Sequence, residues 1–200
     1  MSLEKKYKLV RKEEGTLDEA KAVFFDAFHA QYKKYDPITE LGLKPLEYPS
    51  GDMESDNYTI LDAFLQMAFE EETARFDNIL QNGQQADGET IEFFYQVETA
   101  SIVVGYASIQ FEPSKCHCYV HQLGVSSNHW GRGIGKKLVF ALRESGICPD
   151  LQRVSVLTRR INQEGINFYK HMGFEEVHLD ATGDDFLDFT KYIQLEWKKK

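Results

Sequence analysis

The sequence predicts an α+β fold in which four main helices and about seven strands are arranged around a largely antiparallel central sheet. Three observations lead there. Residues 17–35 and about 57–82 carry apolar side chains at helical spacing, residues 90–125 switch to runs of strand type separated by turn residues, and a glycine cluster then joins a strand directly to another helix. With 200 residues, 42% of them hydrophobic and 13% aromatic, the chain can bury a sizeable core, and residues 1–200 read as a single domain.

The elements follow in order. Residues 6–13 form a short strand. Residues 17–35 place Ala20, Val23, Phe24, Ala27 and Phe28 on one face of an amphipathic helix. Residues 36–56 hold three of the five prolines with two glycines and several acids, so this stretch reads as a loop long enough to carry function. A second helix covers about 57–82, with Leu61, Phe64, Met67 and Ala68 spaced for burial and Gly83 as its stop. Three strands come next, IEFFYQVET, SIVVGYASIQFE and HCYVHQLGV, with turns at Glu98–Ser101 and Glu112–Lys115, as in an antiparallel meander. Lys136–Ser145 is a helix with Leu138, Ala141 and Leu142 on one stripe, ended by Gly146. RVSVLT (153–158) is a strand, 163–171 a short helix and EEVHLD a strand. FTKYIQLEW is a last strand with Phe189, Ile193, Leu195 and Trp197 turned inward.

Composition narrows the partners. A formal net charge of −9 repels phosphate polymers and anionic surfaces, so neither nucleic acid nor a membrane is expected. No apolar run reaches the roughly 20 residues of a membrane span, and MSLEKKYK lacks the apolar segment of a signal peptide. A cytoplasmic protein with reduced thiols is expected, since the three cysteines cannot all pair and Cys116 and Cys118 lie close along one strand.

The segment Trp130-Gly131-Arg132-Gly133-Ile134-Gly135 is the chemical focus. Its glycines let the backbone turn sharply and approach a ligand, and the helix that follows aims free N–H groups at the same spot, which suits a pyrophosphate. Arg132, Lys136 and Lys137 add cations. Glycines at a strand-to-helix junction also serve tight packing, and the cluster alone does not separate the two roles. Spacing excludes two familiar phosphate loops. A dinucleotide fingerprint needs a small residue where Lys136 stands, and a Walker loop needs a hydroxyl residue where Lys137 stands.

The cluster resembles motif A of the GNAT N-acetyltransferases, whose pattern is Gln or Arg, two residues, Gly, one residue, then Gly or Ala. Gly133 and Gly135 match the glycine positions, while Trp130 departs from the usual Gln or Arg. Downstream, Asn162, Gly165, Phe168-Tyr169 and Gly173-Phe174 are similar to motif B. Motif A spans about 117–146 and motif B about 153–175, and 36–56 is a variable loop on the acceptor side. The resemblance implies a three-layer α/β/α fold whose fourth and fifth strands splay apart.

It also implies acetyl-CoA as cosubstrate, no metal, and transfer of the acetyl group to a primary amine by direct attack in a ternary complex. Backbone groups of Leu123 and Val125 would bind the pantetheine arm, with Gly124 easing the local backbone. The turn Trp130, Gly131, Arg132, Gly133, Ile134, Gly135 and Lys136 would hold the pyrophosphate. Asn162 corresponds to a polar contact near the pantetheine; from residue type it equally caps the helix at Gln163. Tyr169 aligns with a tyrosine that donates a proton to the coenzyme A thiolate, although as a residue type it also suits the core beside Phe168.

For a base, strand alternation puts His117, Tyr119, His121, Leu123 and Val125 on one face and Cys116, Cys118, Val120 and Gln122 on the other. Histone-type relatives carry Glu at the register of Tyr119, whereas aralkylamine-type relatives carry histidines at the registers of Tyr119 and His121. His121 is therefore the candidate base, with a sheet histidine held by hydrogen bonds as the plain alternative. Cys116, Cys118, His117 and His121 have the residue types of a zinc site, but alternation sends the cysteines and histidines to opposite faces.

In this fold the acceptor enters between the connection of the first two helices and that of the last two strands. Asp52, Glu54 and Asp56 beside Tyr48 and Tyr58, and Asp180, Asp184, Asp185 and Asp188 with Phe186, would make an acidic, aromatic mouth for a cationic small-molecule or peptide amine. A non-catalytic acyl-CoA-binding module and a protein lysine or N-terminal acetyltransferase are the alternatives, and a homodimer is compatible with all of them.

Overall fold

The structure, a computed structural model, describes residues 7–82, 90–177 and 191–200. It opens with strand β1 (Lys8–Lys12), then helices α1 (Asp18–Tyr32) and α2 (Met53–Asn82). Strands β2 (Ile91–Thr99), β3 (Ile102–Glu112) and β4 (His117–Val125) form the meander. Helices α3 (Ile134–Val139) and α4 (Ala141–Glu144) follow the glycine turn. Strand β5 (Arg153–Arg159), helix α5 (Gln163–His171) and strands β6 (Glu175–Val177) and β7 (Tyr192–Lys198) complete the chain. Gly83, Asp180, Asp184, Asp185, Phe186, Asp188, Phe189 and the end of the strand expected over 175–180 lie outside the described residues.

The seven strands form one sheet in the order β1-β2-β3-β4-β5-β7-β6. All neighbours run antiparallel except β4 and β5, which are parallel. Helices cover both faces, giving three layers. One core lies between the sheet and α3, α4 and α5, where Tyr95, Ala107, Ile109, Cys118, Val154 and Leu195 meet Leu138, Leu142 and Ile166. The other lies between the sheet and α1 and α2, where Phe94 and Tyr106 meet Phe24, Leu65, Phe69 and Phe76. Each buried apolar side chain contributes about 1.5–3 kcal/mol relative to exposure.

Helix α1 buries the expected stripe of Ala20, Val23, Phe24 and Ala27. Helix α2 departs from expectation twice. It starts at Met53 rather than 57, its first turn held by Asp52, whose Oδ1 accepts from the Glu54 N–H. Its inner stripe is Leu61, Leu65, Phe69 and Phe76, whereas Met67 is 53% exposed. Six residues beyond Leu61 is about 240° around a helix of 3.6 residues per turn, well off that face. The helix expected over 136–145 begins at Ile134 and is broken at Phe140 (φ −104°, ψ 27°), which separates α3 from α4. Among the described residues no helix is long and apolar enough to cross a membrane.

Candidate active site

The site begins where the sheet comes apart. Strands β4 and β5 pair only over four positions, His117 to Val120 against Arg153 to Val156. Beyond Val120 the strands diverge, while β4 stays paired to β3 and β5 to β7. The gap opens into a cleft of about 710 Å³ that passes through the sheet and is lined from both faces. The α1/α2 face contributes Phe24, Phe28, Tyr32, Phe64 and Leu65. The opposite face contributes Gly131, Gly133, Gly135, Lys136, Phe168 and Tyr169.

A bulge sets the side chains of β4. Val120 pairs with Ile109 and Gln122 with Ser108, so His121 and Gln122 together oppose Ser108. The extra residue reverses the alternation. Cys118 and Val120 before it, and Leu123 and Val125 after it, all pack on the α3–α5 core. Gln122 turns to the α1/α2 face, where its Oε1 accepts a 2.9 Å hydrogen bond from the Tyr106 hydroxyl. The expected shared face of His117, Tyr119, His121, Leu123 and Val125 is thus corrected: Leu123 and Val125 leave it. Gly124 lies against Tyr106, and a Cβ there would meet the ring at 2.6 Å, so only glycine lets the two strands carry that ring.

His121 stands edge-on to Tyr119, with ring centroids 4.8 Å apart, and its buried Nε2 has no hydrogen-bond partner among the described residues. Burial, with the Arg75 charge adding to it, pulls its pKa down to about 4. The imidazole is therefore neutral at pH 7 and able to accept a proton, but it is a weak base. Under α2, the buried Glu72 Oε2, Ser108 Oγ and Gln96 Nε2 have no hydrogen bond of good geometry among the described residues, although the Ser108 hydroxyl is near enough to Glu72 to favour its charged form. Burial raises the Glu72 pKa against the lowering influence of Ser108 and Arg75.

Tyr169, on α5, is 6% exposed and lines the cleft. Burial holds its phenol well above its ordinary pKa, with the neighbouring Tyr119 and Tyr32 adding to the effect, so the neutral form that can donate a proton dominates. No hydrogen-bond partner for its hydroxyl occurs among the described residues. Asn162 lines the cleft too, but its polar atoms are engaged. Oδ1 caps α5 by accepting from the Gly165 N–H at 2.7 Å, and Nδ2 donates to Thr158 Oγ1 at 2.9 Å.

The glycine turn has two left-handed residues, Gly131 (φ 72°) and Gly133 (φ 77°), and a Cβ added at either would meet nothing within 4 Å. The backbone there is open to a ligand. Gly135 does other work, since a Cβ would strike the Phe168 ring at 2.8 Å and hold α3 away from α5. Trp130 is half exposed, and its indole Nε1 donates to the Val125 carbonyl at 2.7 Å, tying the turn to the end of β4. This gives the unusual tryptophan a structural role and engages one acceptor of Val125. Arg132 points away from the cleft, its Nη1 donating to the Tyr7 hydroxyl at 3.2 Å, and Lys137 donates to the Tyr7 carbonyl. Lys136 lines the cleft without a side-chain partner among the described residues.

Sequence reasoning missed Asp26. From α1 its carboxylate accepts from Ser126 Oγ (2.8 Å), Ser127 N (2.7 Å) and Ser127 Oγ (2.9 Å), anchoring the chain between β4 and the glycine turn. Burial raises its pKa, but those hydrogen bonds outweigh it and leave a net lowering. No periodicity signals such a residue, because its partners lie a hundred positions away. The acidic residues of the first mouth segment do not reach the cleft. Asp56 accepts from the Ser50 and Gly51 N–H groups, and Asp52 serves α2. Among the described lining residues the carboxylate is Glu164, which pairs with Lys34. Asp52, Glu54 and Asp56 do not line this cleft, while Glu54 and Tyr58 line a smaller pocket beside it with Lys33, Tyr35 and Leu61. Among the described residues no three of His, Cys, Asp and Glu gather as for a metal ion.

Comparison with known proteins agrees with this geometry. The family model described as the acetyltransferase (GNAT) family matches residues 56–174. No curated protein matches the sequence. Among solved structures, the chain is similar to the PaiA N-acetyltransferase of Thermoplasma acidophilum in complex with coenzyme A, at 12% identity and a TM-score of 0.62, over 96% of this chain and 99% of that one. An acetyltransferase of Streptococcus agalactiae superposes with a TM-score of 0.58 at 14% identity, over 96% and 98%. A spermidine N-acetyltransferase chimera of SpeG from Vibrio cholerae and hSSAT gives 0.53 at 16% identity, over 96% and 95%. The chain belongs to the acetyltransferase (GNAT) family, and its parallel pair β4/β5 is part of the fold it shares with these structures.

Proposed function

We propose that this protein is an acetyl-CoA-dependent N-acetyltransferase that moves the acetyl group to a primary amine by direct attack, with both substrates in one cleft. The observation that carries the reading is the gap between β4 and β5, which joins a phosphate-compatible turn on one face of the sheet to an aromatic pocket on the other. Acetyl-coenzyme A would bring the acetyl group already activated as a thioester.

The residues divide the work. Backbone N–H groups from Gly131 to Lys136 hold the pyrophosphate, in a turn with room beside Gly131 and Gly133 and with the Lys136 cation, which has no side-chain partner among the described residues. Trp130, Arg132 and Ile134 shape that turn: Trp130 through the Val125 carbonyl, Arg132 through Tyr7 and Ile134 by burial in the core. The open edge of β4 at Leu123 and Val125 pairs with the pantetheine amides, and Asn162 keeps α5 in place beneath it. Tyr169 holds a proton at its hydroxyl for the leaving thiolate. His121 Nε2 accepts a hydrogen bond from the attacking amine. With a pKa of about 4 it orients the neutral amine; as the C–N bond forms and the C–S bond breaks, the amine proton leaves to water in the cleft and the thiolate takes the Tyr169 proton.

The test is to incubate the protein with acetyl-CoA and a mixture of primary amines, following thiol release and product mass. Release coupled to a product one acetyl group heavier is expected. Binding of coenzyme A without release would make the protein a non-catalytic module, and acetylation of peptides but of no small amine would make it a protein acetyltransferase.

A further inference from the structure

The acceptor half of the cleft carries a positive charge that the chemistry above does not use. Val154 and Val156 of β5 pack under α3–α5, and alternation turns Arg159 to the opposite, α1/α2 face, across the sheet from the glycine turn. The Arg159 guanidinium lies 5.4 Å from the Phe64 ring centroid and 5.7 Å from that of Tyr192, and Nη1 donates to the Leu41 carbonyl at 2.6 Å. These contacts come from three separate segments, α2, β7 and the chain after α1, so the head group is held at the cleft wall. A guanidinium has five N–H donors. Among the described residues no carboxylate pairs with this one, and Glu164 is committed to Lys34. The wall around it is apolar, with Phe24, Phe28, Phe64 and Leu65.

Resting on the transfer reading above, we propose that the acceptor is a small amino carboxylate with an apolar side chain, whose carboxylate is bound by the free edge of Arg159. A fixed guanidinium fork matches a carboxylate with paired hydrogen bonds, and the ring-lined wall takes the side chain. The amine then reaches toward His121 and Gln122 at the gap. A polyamine fits this wall poorly, because it would bring its charges against Arg159.

The experiment compares phenylalanine with phenethylamine and leucine with isoamylamine at equal concentrations of free amine, with spermidine as a third kind of acceptor, by thiol release and product mass. Each amino acid is expected to exceed its decarboxylated partner in kcat/KM by about 10-fold or more. Arg159→Gln is expected to erase that preference and Arg159→Lys to keep part of it. The wild-type comparison decides the matter even if the variants fold poorly. Acetylation of spermidine or of the simple amines without preference for the carboxylate overturns this inference and leaves the transfer reading standing. Acetylation of none of them, with release still seen on the broader amine mixture, overturns this inference alone; no release with any acceptor in either experiment overturns both.

Discussion

Tyr169 and His121 illustrate how surroundings change what a side chain can do. Burial keeps the Tyr169 phenol protonated, the form that the proposed donor role requires, although the same burial makes it a weaker acid. Tyr169→Phe removes only the hydroxyl and leaves the ring packed against Phe168 and Phe174. Turnover is expected to fall by roughly 100-fold, with coenzyme A affinity nearly unchanged as measured by calorimetry. An unaltered rate would remove Tyr169 from the mechanism. The sequence points to His121 by its register and by an imidazole's titration near neutrality, and burial beside Arg75 lowers its pKa to about 4. Between pH 6 and 8 its charge does not change, so His121→Ala should lower kcat/KM by a constant factor across that range. A neutral limb in the wild-type pH–rate profile that vanishes in the variant would show that the imidazole titrates where the buried geometry says it does not.

Strand β4 hides most of its arrangement from a one-dimensional reading. Its length, its neighbours and the glycine turn at its end were legible, because they follow from period-two patterning and turn residues. The bulge at His121 and Gln122 was not. An extra residue leaves no trace in a single strand's sequence, since it is defined by the partner strand's register. This one error of parity moved Leu123 and Val125 to the wrong face and hid the Tyr106–Gln122 contact. Gly124→Ala tests the corrected arrangement. The new methyl would displace the Tyr106 ring and with it the bond to Gln122, at a cost of about 1–3 kcal/mol in urea unfolding. Helix α2 shows a milder case: spacing puts Leu61, Phe64, Met67 and Ala68 on one broad face, but the buried stripe runs through Leu61, Leu65, Phe69 and Phe76 and leaves Met67 exposed.

The whole molecule was legible in its class and order of elements, and the site only in its two motifs. Distant partners such as Asp26 for Ser126, or Leu41 for Arg159, arise from the assembled layers and have no local signature. Stability against pH is likewise a property of the assembly. His121, depressed from 6.5 to about 4, binds its proton more weakly folded than unfolded. Its contribution is complete above about pH 6.5 and is lost as pH falls toward 4. Glu72 runs the other way: burial raises its pKa, so its contribution is complete below the ordinary carboxyl range and is lost as pH rises through the raised value. Glu72→Gln should therefore raise Tm at pH 8 more than at pH 5, as read by calorimetry. An equal shift at both would mean that Glu72 titrates normally.

The parting of β4 from β5 gives this sheet an internal edge in addition to its two outer ones. An outer edge of unpaired amides and carbonyls invites the strand of another chain. Here helices close in from both faces, and only four rungs hold the two halves of the sheet together. What fits such an edge is a narrow, extended molecule with amides of its own. The inner edge of β4 beyond Val120 thus faces the cleft between the two helical layers instead of the outer rim of the sheet.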